Sequence, residues 1–187
     1  MQKNLSTAST SLFSHAMSQP LYPLLSRWLR HRLSWRPAFR AAFNVTCLDK
    51  ITMAISQAET VCGAEFRFIT EESLPSSYLW RSLPARARAL TLFGKHRVWD
   101  TEGNVGVLIY VLWAERKIEI VADRAAARAV PQAQWQAWVK AAELHFLQKN
   151  FAAGIEALCQ NMAAGLATSI PFDANTAGQM PNTAELV

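Results

Sequence analysis

The spacing of apolar residues along the chain changes several times, and each change marks an element. Leu24, Leu25, Trp28, Leu29 and Leu33 recur at helical spacing opposite Arg27, Arg30, His31 and Arg32, which predicts a short basic amphipathic helix. After Pro37 a second helix is expected from near Thr46, where Thr46 and Asp49 have capping-box spacing. Its buried stripe is Leu48, Ile51, Ile55, Ala58 and Cys62, and Gly63 ends it. From Ala64 to Thr70 the period drops to two, with Phe66 and Phe68 alternating against Glu65 and Arg67, as in a half-exposed strand.

Ser82 and Pro84 open a further helix that turns Ala85, Ala89, Leu92 and Phe93 inward and stops near Gly94. Asp100-Thr-Glu-Gly-Asn104 has turn composition, with Gly103 free to take positive φ. Val105 to Trp113 is an unbroken apolar run, the mark of a strand covered on both faces. A tight connection at Ala114 to Lys117 leads into a third strand at Ile118 to Ala122, so strands two and three form a hairpin. Helices from about Pro131, with Trp135, Trp138, Val139 and Ala142, and from about Phe151 to Leu166 complete the pattern.

A helical crossover between strands one and two makes them parallel, so the expected fold is α/β, with a small mixed sheet and helices on both faces. The expected organisation is a basic leader over residues 1–45, one domain over 46–171 and a disordered tail over 172–187.

Charge separates the leader from the body. Residues 1–48 carry Lys3, Arg27, Arg30, Arg32, Arg36 and Arg40 and no acid, whereas the remainder has thirteen basic and fourteen acidic residues. The pI of about 9.4 therefore describes the leader, and a nucleic-acid-binding body is not expected. An Arg- and Ser-rich, acid-free leader resembles a mitochondrial transit peptide, but a surface arm is the preferred reading. The amphipathic helix is expected to turn its apolar stripe to the domain core, with an anionic membrane surface as the alternative. Cys47, Cys62 and Cys159 are widely spaced and read as reduced core residues. There is no apolar signal core and no window long enough for a membrane span, so the expected location is cytoplasmic, at most peripheral to a membrane.

The polar residues converge at one sheet end. Antiparallel pairing around Ala114 and Glu115 sets Asp123 opposite Gly106, beside the Asp100–Asn104 turn, and parallel pairing can bring Glu65 to the same end. Asp100, Glu102 and Asp123 are thus the candidate ligands of a hard divalent cation, calcium or magnesium, with Arg124 the candidate anion contact. The alternative is ordinary turn and helix-cap chemistry. Glu71 and Glu72 lie at the opposite end, where open parallel sheets usually bind ligands. His96 and His145 have no nucleophile or orienting carboxylate at motif spacing and read as structural. Dinucleotide, P-loop, serine-hydrolase and zinc motifs are absent.

The segment Gly94-Lys-His-Arg-Val-Trp-Asp-Thr-Glu-Gly-Asn-Val-Gly-Val-Leu-Ile-Tyr110, with Ile118-Glu-Ile-Val-Ala-Asp-Arg124, resembles the bacterial TPM-domain family. Ile55, Glu59, Ala64-Glu-Phe-Arg67, Lys149-Asn-Phe-Ala-Ala-Gly-Ile155 and Ile170-Pro171 extend the likeness over most of residues 48–171. The resemblance implies a Rossmann-like α/β/α sandwich. It covers proteins of photosystem repair, a receptor accessory protein and envelope proteins encoded beside LemA-type partners, some of them acid phosphatases and some calcium-binding. The chain resembles the short, cytosolic type, with Asp123-Arg124-Ala-Ala where glycine-rich loops occur in others. Two functions are therefore carried forward. The first is a non-catalytic interaction or maintenance module whose partners are an anionic membrane surface and LemA-type or other TPM proteins. The second is a metal-dependent acid phosphatase.

Overall fold

The computed structural model describes residues 21–34, 36–175 and 178–187, with side chains from Leu25 onward. The polar first twenty residues, and the reading of them as a targeting segment, lie outside the described residues, as does the side chain of Leu24. In chain order the elements are α1 (Leu21–Arg32), α2 (Arg36–Ala42), α3 (Val45–Glu59), β1 (Glu65–Glu71), α4 (Ser76–Trp80) and α5 (Ala85–Lys95). They continue with β2 (Gly106–Leu112), β3 (Lys117–Ala122), α6 (Arg124–Ala129), α7 (Gln132–Leu147), α8 (Phe151–Leu166) and β4 (Glu185–Leu186).

The sheet runs β3-β2-β1-β4, antiparallel between β2 and β3 and parallel elsewhere. Strand alternation sends Phe66, Phe68, Val107, Ile109, Val111 and Ile118 into a large apolar layer under α2, α3, α7 and α8. Ile69, Leu108, Tyr110, Leu112 and Val121 enter a smaller layer with Leu74, Leu79 and the α5 residues Ala85, Ala89 and Leu92. Helices therefore cover both faces, and the mixed α/β architecture read from the periodicity stands. Each buried Phe or Ile contributes roughly 1.5–3 kcal/mol, so the larger layer dominates the stability of the body.

The register of the hairpin is as the pattern predicts: Arg116 N–H donates to Trp113 O at 3.0 Å, and Asp123 N–H donates to Gly106 O at 2.8 Å. At Gly106 a Cβ would stand 1.8 Å from the Val98 carbonyl oxygen, so glycine is required where the Asp100–Asn104 turn closes on β2.

Several local expectations are corrected. The cap of α3 is Asn44, whose Oδ1 accepts from Cys47 N–H at 2.9 Å, and not Thr46. Asn44 lies just ahead of the helix and is already free of helical backbone geometry, which is what a cap requires. The positive φ of the turn falls on Asn104, at 54°, and not on Gly103. Strand β1 is buried along its whole length, Glu65 and Arg67 included. The reason is the tail: residues 178–187 are ordered, return to the β1 edge and pair Ile69 with Glu185 and Thr70 with Leu186. Short, aperiodic and polar, this segment carries no local signal of a strand, and only its fit against β1 orders it.

Candidate functional site

The sheet end chosen from sequence is assembled from the predicted rows. Glu65 pairs with Gly106, and Asp123 bonds to Gly106 from the other side. Ala125 N–H donates to Asn104 O at 3.1 Å, which seats the start of α6 on the turn. The carboxylates there have structural partners. Asp123 caps α6, its Oδ1 accepting from Arg124 N–H at 2.7 Å, while its Oδ2 is buried without a partner among protein atoms. Asp100 and Glu102 are exposed on the turn, and Arg124 is exposed. Among the described residues no group of three His, Cys, Asp or Glu side chains gathers to hold a metal.

Glu65, 3% exposed, has a role the sequence did not suggest. Its Oε1 accepts from Gly178 N–H at 2.7 Å and Gln179 N–H at 3.2 Å, and its Oε2 accepts from Met180 N–H at 3.0 Å. Arg67 donates to Pro181 O at 2.6 Å and pairs with Glu185. His96 Nδ1 lies 3.3 Å from the same Glu185 carboxylate, so the orienting carboxylate missing from local sequence arrives from the tail. Burial holds the His96 pKa below its ordinary value. Glu59 accepts from Phe66 N–H at 2.8 Å, and burial, with Glu65 nearby, pushes its carboxyl up to about 7. At the opposite sheet end Glu71 receives two Arg88 bonds, at 2.8 and 3.0 Å, and the Tyr110 hydroxyl at 2.7 Å, a closed buried set.

The second unexpected arrangement is the seat of α1. Glu115, in the β2–β3 turn, accepts from Arg27 Nε at 2.6 Å and His31 Nε2 at 3.0 Å, and Lys117 Nζ is 3.3 Å from its other oxygen. Arg27 also donates to Leu83 O at 2.7 Å. Leu74 N–H donates to His31 Nδ1 at 3.1 Å, so the ring is the Nε2–H tautomer that donates to Glu115. These donors, His31 foremost, hold the Glu115 carboxyl down at about 2.

The helix therefore docks along Arg27, Trp28 and His31 with Arg30 and Arg32 exposed, and the expectation that its apolar stripe turns inward holds for Trp28 and fails for Leu25, Leu29 and Leu33. Trp28 reaches the smaller core layer, but Leu25, Leu29 and Leu33 are 64%, 58% and 70% exposed. Trp80, also exposed, meets Trp28 edge to face at 5.9 Å. The partner that sets this orientation, Glu115, lies more than eighty residues away in the chain, outside the reach of a periodicity argument.

A comparison with family profiles places a TPM domain over residues 41–165. The chain belongs to the TPM-domain family. A comparison with curated proteins finds no match. Among solved structures the TPM domain is similar to the BA42 protein from the psychrophilic bacterium Bizionia argentinensis, determined by NMR. That likeness has a TM-score of 0.68 at 24% identity and covers 77% of this chain and 94% of the other. At that identity it speaks to the fold.

A cleft of about 450 Å³ lies between the first turns of α3 and α8. Asn44, Cys47, Lys50, Lys149 and Asn150 line it. Two helix starts and two lysines suit an anion. Cys47, read from sequence as a core thiol, is half-buried here. Burial raises its pKa, against the opposing pull of Lys50 and the Ala152 N–H.

Proposed function

We propose that the protein is a peripheral interaction module that rests on an anionic membrane surface through the outward face of α1. The observation that carries this reading is the orientation of that helix. Leaving Leu25, Leu29 and Leu33 in water forgoes roughly 1.5–3 kcal/mol for each fully buried leucine, a cost that an apolar host surface would remove. Arg30 and Arg32 are exposed on the same helix, and the exposed Arg81 follows Trp80, which meets Trp28. Each arginine close to an anionic surface adds roughly 1 kcal/mol. No helix among the described residues is long and apolar enough to cross a membrane, so association would be interfacial. LemA-type or other TPM proteins would then meet the module at the membrane.

Sedimentation of the full chain with phosphatidylglycerol-containing vesicles tests this. The wild type is expected to pellet at low salt, and Leu25→Asp with Leu29→Asp to stay in the supernatant with its melting temperature retained. Equal pelleting of the two proteins, or none by either, would remove the proposal.

A second reading, the metal-dependent phosphatase, draws on the unpartnered Oδ2 of Asp123, with Asp100, Glu102 and Arg124 on the adjoining turn and helix start. A calcium or magnesium ion there would act as a Lewis acid on a phosphoryl oxygen. The two exposed carboxylates would first have to move onto Asp123.

A further inference from the structure

The outward face of α1 continues onto the body. On one flank of the helix the Arg32 guanidinium lies 5.4 Å from the centre of the Trp28 ring, and Trp80, at the end of α4, meets the same indole edge to face. Trp80 is 77% exposed, the most exposed large apolar side chain among the described residues, and Arg81 beside it is exposed as well. At the seat of the helix, Arg116 is exposed in the β2–β3 turn next to Glu115, the carboxylate that holds Arg27 and His31.

The charges of this surface are not neutralised from within. Arg30, Arg81 and Arg116 form no ion pair among the described residues, whereas the neighbouring acids are engaged, Glu72 by Arg36 and Glu115 by Arg27, His31 and Lys117. Tryptophan settles at a membrane–water boundary with its ring at headgroup level, and arginine pairs with the headgroup phosphates. An anionic lipid surface therefore suits both the apolar and the charged parts of the patch. The seat of α1 is what brings those parts together. With Arg27 and His31 released from Glu115, the leucines of the helix lose their fixed place beside Trp80, Arg81 and Arg116.

We infer that the surface laid on the membrane is composite: Trp80 and Arg81 of α4 and Arg116 of the β2–β3 turn contact anionic lipid together with Leu25 and Leu29, and the Glu115 seat assembles them. This rests on the membrane reading above and adds that the bilayer recognises docked α1, not a free amphipathic helix. The two cases differ in sign at Glu115. For a free helix, removing a carboxylate near an anionic surface leaves binding unchanged or strengthens it. For the composite surface the same change unseats the helix and weakens binding.

The test is sedimentation of the full chain with phosphatidylglycerol-containing vesicles at low and high salt, beside vesicles of phosphatidylcholine alone. Trp80→Ala is expected to lower the partition coefficient on the order of tenfold at either salt. Arg81→Gln with Arg116→Gln is expected to lower it roughly thirtyfold at low salt and hardly at all at high salt. Glu115→Ala is expected to lower it as well. Retained melting temperatures in the Trp80 and arginine variants, whose changes are all exposed, separate lost contact from lost fold. If those variants pellet like the wild type while Leu25→Asp with Leu29→Asp stays in the supernatant, the composite surface is overturned and α1 alone makes the contact. Pelleting of Glu115→Ala as well as the wild type, or better, overturns it too, because a free helix then suffices. Should Glu115→Ala not fold, the exposed variants decide alone. Equal pelleting on phosphatidylcholine removes the role of the arginines, and no pelleting of the wild type removes the membrane reading and this surface with it.

Discussion

The two ends of the described chain are each tied to the body by a buried carboxylate, Glu115 at the leader and Glu65 at the tail. At the leader, Glu115 gathers cationic and polar side-chain donors from Arg27, His31 and Lys117, and its carboxyl is held at about 2. At the tail, Glu65 gathers backbone N–H groups, and its neighbour Glu59, with burial as the main cause, is raised to about 7. A depressed acid contributes stability above its unfolded pKa and loses it as pH falls through the folded value. A raised acid contributes below its unfolded pKa and loses that contribution as pH rises. The leader tie therefore weakens between about pH 4.5 and 2, and the tail region weakens between about pH 4.5 and 7. The difference teaches what each tie recognises. Glu115 holds particular side chains, so α1 is oriented, whereas Glu65 holds the tail by its backbone.

The largest effect that would break this contrast is removal of the leader tie. Glu115→Ala leaves His31 and Arg27 part-buried without their anion, and a broken buried pair typically costs 3–5 kcal/mol. We expect a loss of about 3 kcal/mol in urea denaturation, with hydrogen-exchange protection lost across α1 and kept in β1. Uniform loss across the sheet would mean that α1 is part of the cooperative core and not a docked element.

Next in size is the pH response of the tail side. Glu59→Gln keeps an acceptor for Phe66 N–H but cannot ionise. It is expected to raise stability at pH 8 by about 2–3 kcal/mol and to leave pH 4 nearly unchanged. Stability profiles of both proteins from pH 4 to 8 would show it. Parallel profiles would mean that Glu59 does not titrate in that range in the folded protein.

The smallest effect asks whether the carboxylates at the tail end of the sheet have capacity left for a cation. With Asp123 capping α6, Asp123→Asn should cost no more than about 1 kcal/mol, because Asn also caps well. Thermal scans with calcium, magnesium and chelator are expected to superimpose. A cation-dependent rise of a few degrees that Asp100→Asn with Asp123→Asn abolishes would instead establish the cation site and revive the phosphatase reading.

Much of the sheet was legible because its signals are local. The apolar run at Val105 to Trp113 and the tight turn at Ala114 to Lys117 set a ladder, and an antiparallel ladder propagates register without further information. That is why spacing alone could place Asp123 beside the turn. Strand β1 was legible as a strand, but Glu65 and Arg67 were read as exposed because alternation alone cannot report a covering segment more than a hundred residues away. The short helices α4 and α6 were missed or seen only as a cap, since five or six residues hold too little of a 3.6-residue period.

By itself, then, the sequence determined the order of the first three strands and the longer helices, the mixed sheet with two covered faces and the hairpin register, all of which follow from spacing within a few turns of chain. Tertiary structure decided which face of α1 turns inward and where the tail lies. The segregation of leucines from arginines around a helix describes that helix but not its host: partners at Glu115 and Ser73 to Leu74 hold Arg27 and His31, and that choice leaves Leu25, Leu29 and Leu33 outward. The tail has no apolar period of its own, and it becomes a strand because Glu65, Arg67 and the open edge of β1 present donors and acceptors that pair with its backbone.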